Sequence, residues 1–100
     1  MSDAEMLDLA AKAMRLKYMN GALWDGRDVV EYSWNPLEDD GHALRLAVKL
    51  GIHITNSLSE AWASTEKVTA IQIFDQDTDP YAATRRAIVR AAAEIGKGMK

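Results

Sequence analysis

Residues 52–74 read IHITNSLSEAWASTEKVTAIQIF, and this stretch decides the fold. Ile52 and Ile54 alternate with His53 and Thr55, the period of a half-buried strand. Asn56, Ser57, Leu58 and Ser59 supply a turn, and residues 60–65 carry Trp62 among small and polar neighbours. Glu66 and Lys67 make a second turn. Residues 68–74 follow as the richest run of β-branched residues in the chain. Within that last run Ala70, Gln72 and Phe74 share one side, but Val68, Ile71 and Ile73 cannot all share the other, so no face is assigned. Three strands joined by turns this short pair most economically as an antiparallel meander.

The flanks read as helices. After the strands, Asp79-Pro80 places a capping side chain before a proline at the first helical position. From there Tyr81, Thr84, Ile88, Ala91 and Ile95 fall on one helical face, flanked by Arg85, Arg86 and Arg90, and Gly96 ends the run. Before the strands, Asn35-Pro36 repeats the cap-then-proline pattern, with Glu38 at the third helical position. This predicts a helix over residues 36–50, with Leu37, Leu44, Ala47 and Val48 as its buried stripe. Gly41 lies in its interior, at a cost of roughly 1 kcal/mol against alanine, and Gly51 stands where a left-handed C-terminal residue belongs.

Residues 2–16 predict the first helix. Ser2 and Glu5 have capping-box spacing; Leu7, Ala10, Ala11 and Met14 form one stripe beside a second of Met6, Leu9, Ala13 and Leu16. It stops before Asn20-Gly21, a turn dipeptide. Residues 22–33 are mixed and read as a loop holding one short strand at Val29, Val30 and Tyr32. The expected class is therefore α+β: one domain, residues 1–100, with an antiparallel sheet of three to four strands sandwiched by three helices, in the order α-(β)-α-β-β-β-α.

Composition narrows the function. The 100 residues hold no cysteine and carry a formal charge of −3. Disulfide frameworks, thiolate metal sites and cysteine nucleophiles are excluded. No apolar run approaches the roughly 20 residues that span a bilayer, so no membrane partner is expected. The opening MSDAEMLDLA lacks the basic-then-apolar pattern of a secretory signal, which points to the cytoplasm. The negative charge argues against nucleic acid, whose affinity is mostly phosphate electrostatics. Charge is nevertheless uneven. Residues 31–40 hold four acids (Glu31, Glu38, Asp39, Asp40), while residues 85–100 hold five bases (Arg85, Arg86, Arg90, Lys97, Lys100) against Glu94.

Few residues suggest chemistry. Asp75, Asp77 and Asp79 alternate as in a calcium loop, but Pro80 and Arg86 stand where glycine and the bidentate glutamate belong. Glu38 and His42 are four apart and would share a helix face, two ligands where zinc takes three or four. His53 sits between isoleucines with no visible nucleophile. There is no phosphate-binding glycine loop and no serine elbow, and no cofactor or metal is expected. Trp34, just before Asn35, suits a hydrophobic staple. Trp24, beside Asp25-Gly26, is the best candidate for an exposed aromatic contact, with tucking under the loop as the alternative. The candidate contact residues are Trp24, Trp34, Asp39, Asp40 and His42, with Arg85, Arg86 and Arg90 as a basic alternative.

Two stretches carry a resemblance. Trp34-Asn35-Pro36-Leu37-Glu38-Asp39-Asp40-Gly41-His42-Ala43-Leu44-Arg45-Leu46 resembles a segment of small phage and prophage proteins, as does Asp79-Pro80-Tyr81-Ala82-Ala83-Thr84-Arg85-Arg86-Ala87-Ile88-Val89. The group is the phage α/β/α-sandwich proteins, with NinX-type proteins of temperate phages among its relatives. Its W-x-P-x-x-D-x-x-x-A-hydrophobic block is matched at Trp34, Pro36, Asp39, Ala43 and Leu44. The resemblance implies a layered sandwich and a phage or prophage origin, and it brings no catalytic residue with it.

The leading expectation is a non-enzymatic accessory protein in the bacterial cytoplasm that acts through a host or phage protein, with residues 24–40 as its contact surface. Two alternatives stand beside it: an acidic inhibitor or nucleic-acid mimic against a host enzyme, and a metal-dependent or other enzyme without a recognisable motif. Open sheet edges also admit a homodimer.

Overall fold

The computed structural model describes residues 1–57, 60–73 and 79–99, and residues 71–73 by their backbone. Among them are three helices and six strands: α1 (Asp3–Ala13), β1 (Lys17–Met19), β2 (Ala22–Trp24), β3 (Val29–Glu31), α2 (Asp40–Leu50), β4 (His53–Asn56), β5 (Glu60–Ser64), β6 (Thr69–Ile73) and α3 (Pro80–Lys97). The class is α+β. The strands form two antiparallel sheets rather than one, ordered β1-β2-β3 and β4-β5-β6.

The second sheet is the expected meander, in the register His53↔Ser64, Ile54↔Ala63, Trp62↔Ile71 and Ser64↔Thr69. Its second turn closes through the Thr65 N–H donating to the Val68 carbonyl at 2.9 Å. Ala61, Ala63 and Ala70 are buried on the face that α3 covers. The turn residues Leu58 and Ser59, and the facing of Phe74, lie outside the described residues.

The first sheet corrects the reading of residues 22–33 as mostly loop. Asn20 and Gly21 both have positive φ, 53° and 77°, and Met19 pairs with Ala22. That is the two-residue turn whose twist matches paired strands, and asparagine-glycine is its preferred sequence. The turn therefore starts a hairpin inside a stretch that helix and loop readings had divided. At the next connection the Asp25 carboxylate accepts the N–H groups of Arg27 and Asp28, both at 2.8 Å.

α1 is capped as expected: Ser2 Oγ accepts the Glu5 N–H at 3.1 Å, and its hydroxyl donates to the Glu5 carboxylate at 3.3 Å. The helix stops three residues earlier than predicted. Arg15 takes a left-handed φ of 61°; the Arg15 N–H reaches the Lys12 carbonyl and the Leu16 N–H reaches that of Ala11. This is a Schellman ending with arginine where glycine is usual.

α2 starts four residues later than expected. The Asn35 side chain accepts the Leu37 N–H at 3.1 Å, and the Asn35 carbonyl accepts from Glu38 and Asp39. The cap-then-proline pattern thus builds one isolated turn. Asp39 is extended, with φ −116° and ψ 120°, and its side chain caps α2 by accepting the His42 N–H. Gly41 is consequently at the second helical position, not in the interior. Of the predicted stripe Ala47 is buried as read, beside Ala43 and Leu46, which were not in it, whereas Leu44 and Val48 are 57% and 74% exposed. The end is as read, with Gly51 left-handed at φ 67°.

α3 is the hub. Asp79 caps it through the Tyr81 N–H at 2.9 Å, and Pro80 takes its first position. It packs against α1, α2 and the second sheet, and Ala87, Ala91, Ala92 and Ala93 are all buried. Gly96 does not end it, since the helix runs on to Lys97. A Cβ at Gly96 would overlap the Leu9 carbonyl oxygen and stand 3.3 Å from the Ala13 nitrogen. Glycine is there because the backbone of α1 passes against it.

Candidate functional site

The polar residues singled out in the sequence converge where the first sheet meets the start of α2. Trp34 is buried and meets Tyr18 edge-on, with ring centroids 5.8 Å apart. The Trp34 N–H donates to the Gly21 carbonyl at 2.8 Å, tying this residue to the hairpin turn. Its role here is packing. Trp24 is half-buried, and its indole N–H donates to the Met19 carbonyl at 3.3 Å, across the hairpin.

His42 joins three segments. Its Nδ1 accepts the Asn35 backbone N–H at 3.0 Å, which only an unprotonated nitrogen can do. The ring proton therefore sits on Nε2, which donates to Glu31 Oε1 at 3.0 Å. Arg45 reaches the same oxygen at 3.3 Å. Both ring nitrogens are committed, so His42 offers neither a base nor a metal ligand without breaking a bond that holds β3 and the Asn35 turn to α2. Glu38 and His42 do not share a helix face, because Glu38 precedes the helix. The Asp39 carboxylate is held below its ordinary value by the His42 backbone N–H it accepts, and the Gly41 N–H and Arg45 reinforce this. Backbone N–H groups of Asp28 and Arg27 lower Asp25 in the same way. Among the described residues no three histidines or carboxylates gather as a metal-holding group. Of the calcium-like run, Asp75 and Asp77 lie outside the described residues.

The arginines do not make one basic patch. Arg85 turns inward: its side chain is largely covered, Nε donates to the Leu37 carbonyl at 2.9 Å, and Nη1 pairs with Asp40 at 2.6 Å. This clamps α3 to the Asn35 turn and to α2. Arg86 pairs with Asp3 at 3.1 Å across the α1–α3 seam. Arg90 is exposed and lines a groove with Met1, Met6, Arg86, Glu94 and Lys97.

Two grooves bear on the candidate residues. The first is a shallow groove of about 550 Å³ beside the His42 junction, lined by Tyr18, Asn20, Tyr32, Trp34, Glu38 and Asp39 among others. Tyr32 stands at its edge 82% exposed, next to the half-exposed Val30. The second is an apolar groove of about 490 Å³ between α2, β4 and the start of α3, bordered by Leu44, Ile54 and Tyr81. Tyr32, Tyr81, Leu44 and Val48 are the surface residues that sequence reading missed. For Leu44, Val48 and Tyr81 the signal was an apolar residue that the true helix phase leaves outside; Tyr32 lies in no helix and had no such signal.

No family model matches the chain, and comparisons with curated proteins and with solved structures found no similar protein. No helix among the described residues is long and apolar enough to cross a membrane.

Proposed function

We propose that the protein is an accessory protein of phage or prophage origin that acts in the bacterial cytoplasm by binding another protein, without catalysis of its own. The observation that carries this is the contrast inside one small region. The groups with chemical potential, His42, Asp39, Asp40 and Arg85, are spent on bonds that hold the fold, while Tyr32 projects beside them. Exposed aromatics rimmed by polar groups are the usual anchors of protein interfaces. The contact surface in this reading is the Tyr32 groove, which takes in residues 32–39 of the 24–40 stretch together with the Asn20-Gly21 turn, and its acids Glu38 and Asp39 favour a partner with a basic edge.

The test is a pull-down from bacterial lysate with tagged wild-type, Tyr32→Ala and Glu38→Lys chains, each with and without nuclease. A host or phage protein held by wild type, resistant to nuclease and lost with Tyr32→Ala supports the reading. Recovery of nucleic acid that both variants retain would shift the function to the Arg86–Arg90 groove. Capture unchanged by either variant would remove the Tyr32 surface.

A further inference from the structure

His42 is built into the fold in one protonation state. Its side chain is only 12% exposed. The Asn35 N–H meets Nδ1 at 3.0 Å, and Nε2 donates to Glu31 at 3.0 Å. A proton taken up by this ring has one place to go, Nδ1. The ring then turns a donor towards the Asn35 N–H, and that bond is lost. The charged ring keeps Glu31, and a second acceptor is at hand: Asp39 Oδ1 lies 3.9 Å from Nδ1. Backbone N–H groups hold Asp39 below the ordinary carboxylate value, so it is still an anion over the pH range in which histidines take up protons.

The groups around the ring pull in both directions. Glu31 from β3 and Asp39 at the start of α2 favour the charged form, and Glu38 adds a carboxylate to the same groove. Arg45 from α2, 3.3 Å from the Glu31 oxygen, opposes it. Tyr18 from β1 is the other titratable group beside them. The rest of the turn is fastened without His42. Pro36 is fully buried, Arg85 holds the Leu37 carbonyl, and the Trp34 N–H holds the Gly21 carbonyl. Loss of the His42–Asn35 bond is therefore confined to the imidazole and the peptide between Trp34 and Asn35. Trp34, Asn35, Asp39 and His42 all line the Tyr32 groove, so the change falls on that groove and leaves the core alone.

We infer that His42 is a proton-operated latch on the Tyr32 groove. Neutral, it clamps Asn35 to α2 and shapes the groove; protonated, it turns from Asn35 to Asp39 and the groove loses that shape. The control of partner binding rests on the Tyr32 surface proposed above, but the latch itself does not.

Nuclear magnetic resonance of the full chain without partner, titrated from pH 8 to pH 5, tests the latch. Ring-nitrogen shifts read the protonation of His42 directly, and His53, exposed on β4, serves as an internal reference. The His42 ring should take up a proton, and the Asn35 amide resonance should move with the same midpoint. Exchange of that amide, corrected for the intrinsic effect of pH, should quicken at least tenfold, while residues 87–93 of α3 stay protected. Glu31→Gln keeps an acceptor for Nε2 without the charge and should move the midpoint to lower pH. His42→Gln cannot titrate and should leave the Asn35 amide unmoved throughout; if it fails to fold, Glu31→Gln carries the test. A His42 ring that stays neutral to pH 5, one that charges while Asn35 stays put, a midpoint indifferent to Glu31→Gln, or loss of α3 protection at the same midpoint would overturn the latch. The pull-down repeated at pH 7.5 and pH 5.5 separates the two readings. Capture weakened severalfold at pH 5.5 supports control of the groove, and equal capture at both values overturns that control. Capture of nothing at either value removes the Tyr32 surface while the resonance data still decide the latch.

Discussion

The α1–α3 seam and the α2–β4 flank use apolar residues in opposite ways. At the seam the residues are small: Ala10, Ala11, Ala92, Ala93 and Gly96 are buried, and the backbones come so close that a methyl group at Gly96 has no room. At the flank the residues are large, yet Leu44 and Val48 face out while Leu46, two positions from each, is 1% exposed. Burial here follows the direction of the helix face, and side-chain size follows the distance the backbone must keep. A seam made of alanine and glycine gains its stability from contact density and tolerates no added volume. A flank of exposed leucine and valine tolerates change and is available to a partner.

Substitutions can break that comparison. The largest effect is expected for Gly96→Val, which must push α1 off α3. Overpacking of this kind should cost more than about 3 kcal/mol, a fall in melting temperature on the order of 15 °C for a domain this size. A melt within a few degrees of wild type would mean that the seam is looser than described. Next is a pair on one helix. Leu46→Ala should cost about 3 kcal/mol from lost burial and an unfilled cavity, while Leu44→Ala should stay within about 0.5 kcal/mol in the monomer. Urea titrations of the two should separate by that difference, and equal effects would contradict the phase of α2.

Smaller effects test the helix ends. Gly51→Ala forces a left-handed alanine and should cost about 1 kcal/mol. Arg15→Gly relieves the same strain and should gain a few tenths of a kcal/mol, after the greater entropy of glycine in the unfolded chain is subtracted. Both are read from thermal melts.

The smallest effect concerns acid. Asp25 and Asp39 are lowered in the folded state by backbone N–H groups. Their contribution is therefore complete above the ordinary carboxylate value of about 4 and is lost as pH falls through their lower folded values. Melting temperatures measured from pH 5 to pH 2 should fall, and the fall should be shallower in Asp25→Asn and Asp39→Asn.

Local signals were legible where a residue's role depends on its immediate neighbours. Ser2 and Asp79-Pro80 cap helices, Gly51 turns left-handed, and the three strands of the second sheet sit within about a residue of their predicted places. Asn35-Pro36 misled because the same pattern also starts an isolated turn, and only the extended Asp39 after it reveals the break. Anchoring the stripe on Leu37, which is not in α2, then set the helix phase wrong and hid both Leu46 and the exposed pair. Gly96 was read as a stop because its true cause, the Leu9 backbone, lies far away in sequence. The candidate site suffered the same limit. Residues 31–42 were recognised as special, but the bonds that occupy His42 and Arg85 come from Glu31, Asn35, Leu37 and Asp40 through tertiary closure. Tyr32 was read only as part of a short strand, which says nothing of its exposure.

The seam between α1 and α3 also dictates an order of events during synthesis. Arg86 pairs with Asp3 across 83 positions, and the Lys12 ammonium reaches the Met99 carbonyl across 87. A chain growing from the ribosome can close the Asn20-Gly21 hairpin early, yet α1 packs only against β1 and lacks its main partner until residues 80–97 emerge. Until then Met6, Leu7, Ala10 and Ala11 are open to chaperones and proteases, and release of α3 completes the core in one late step.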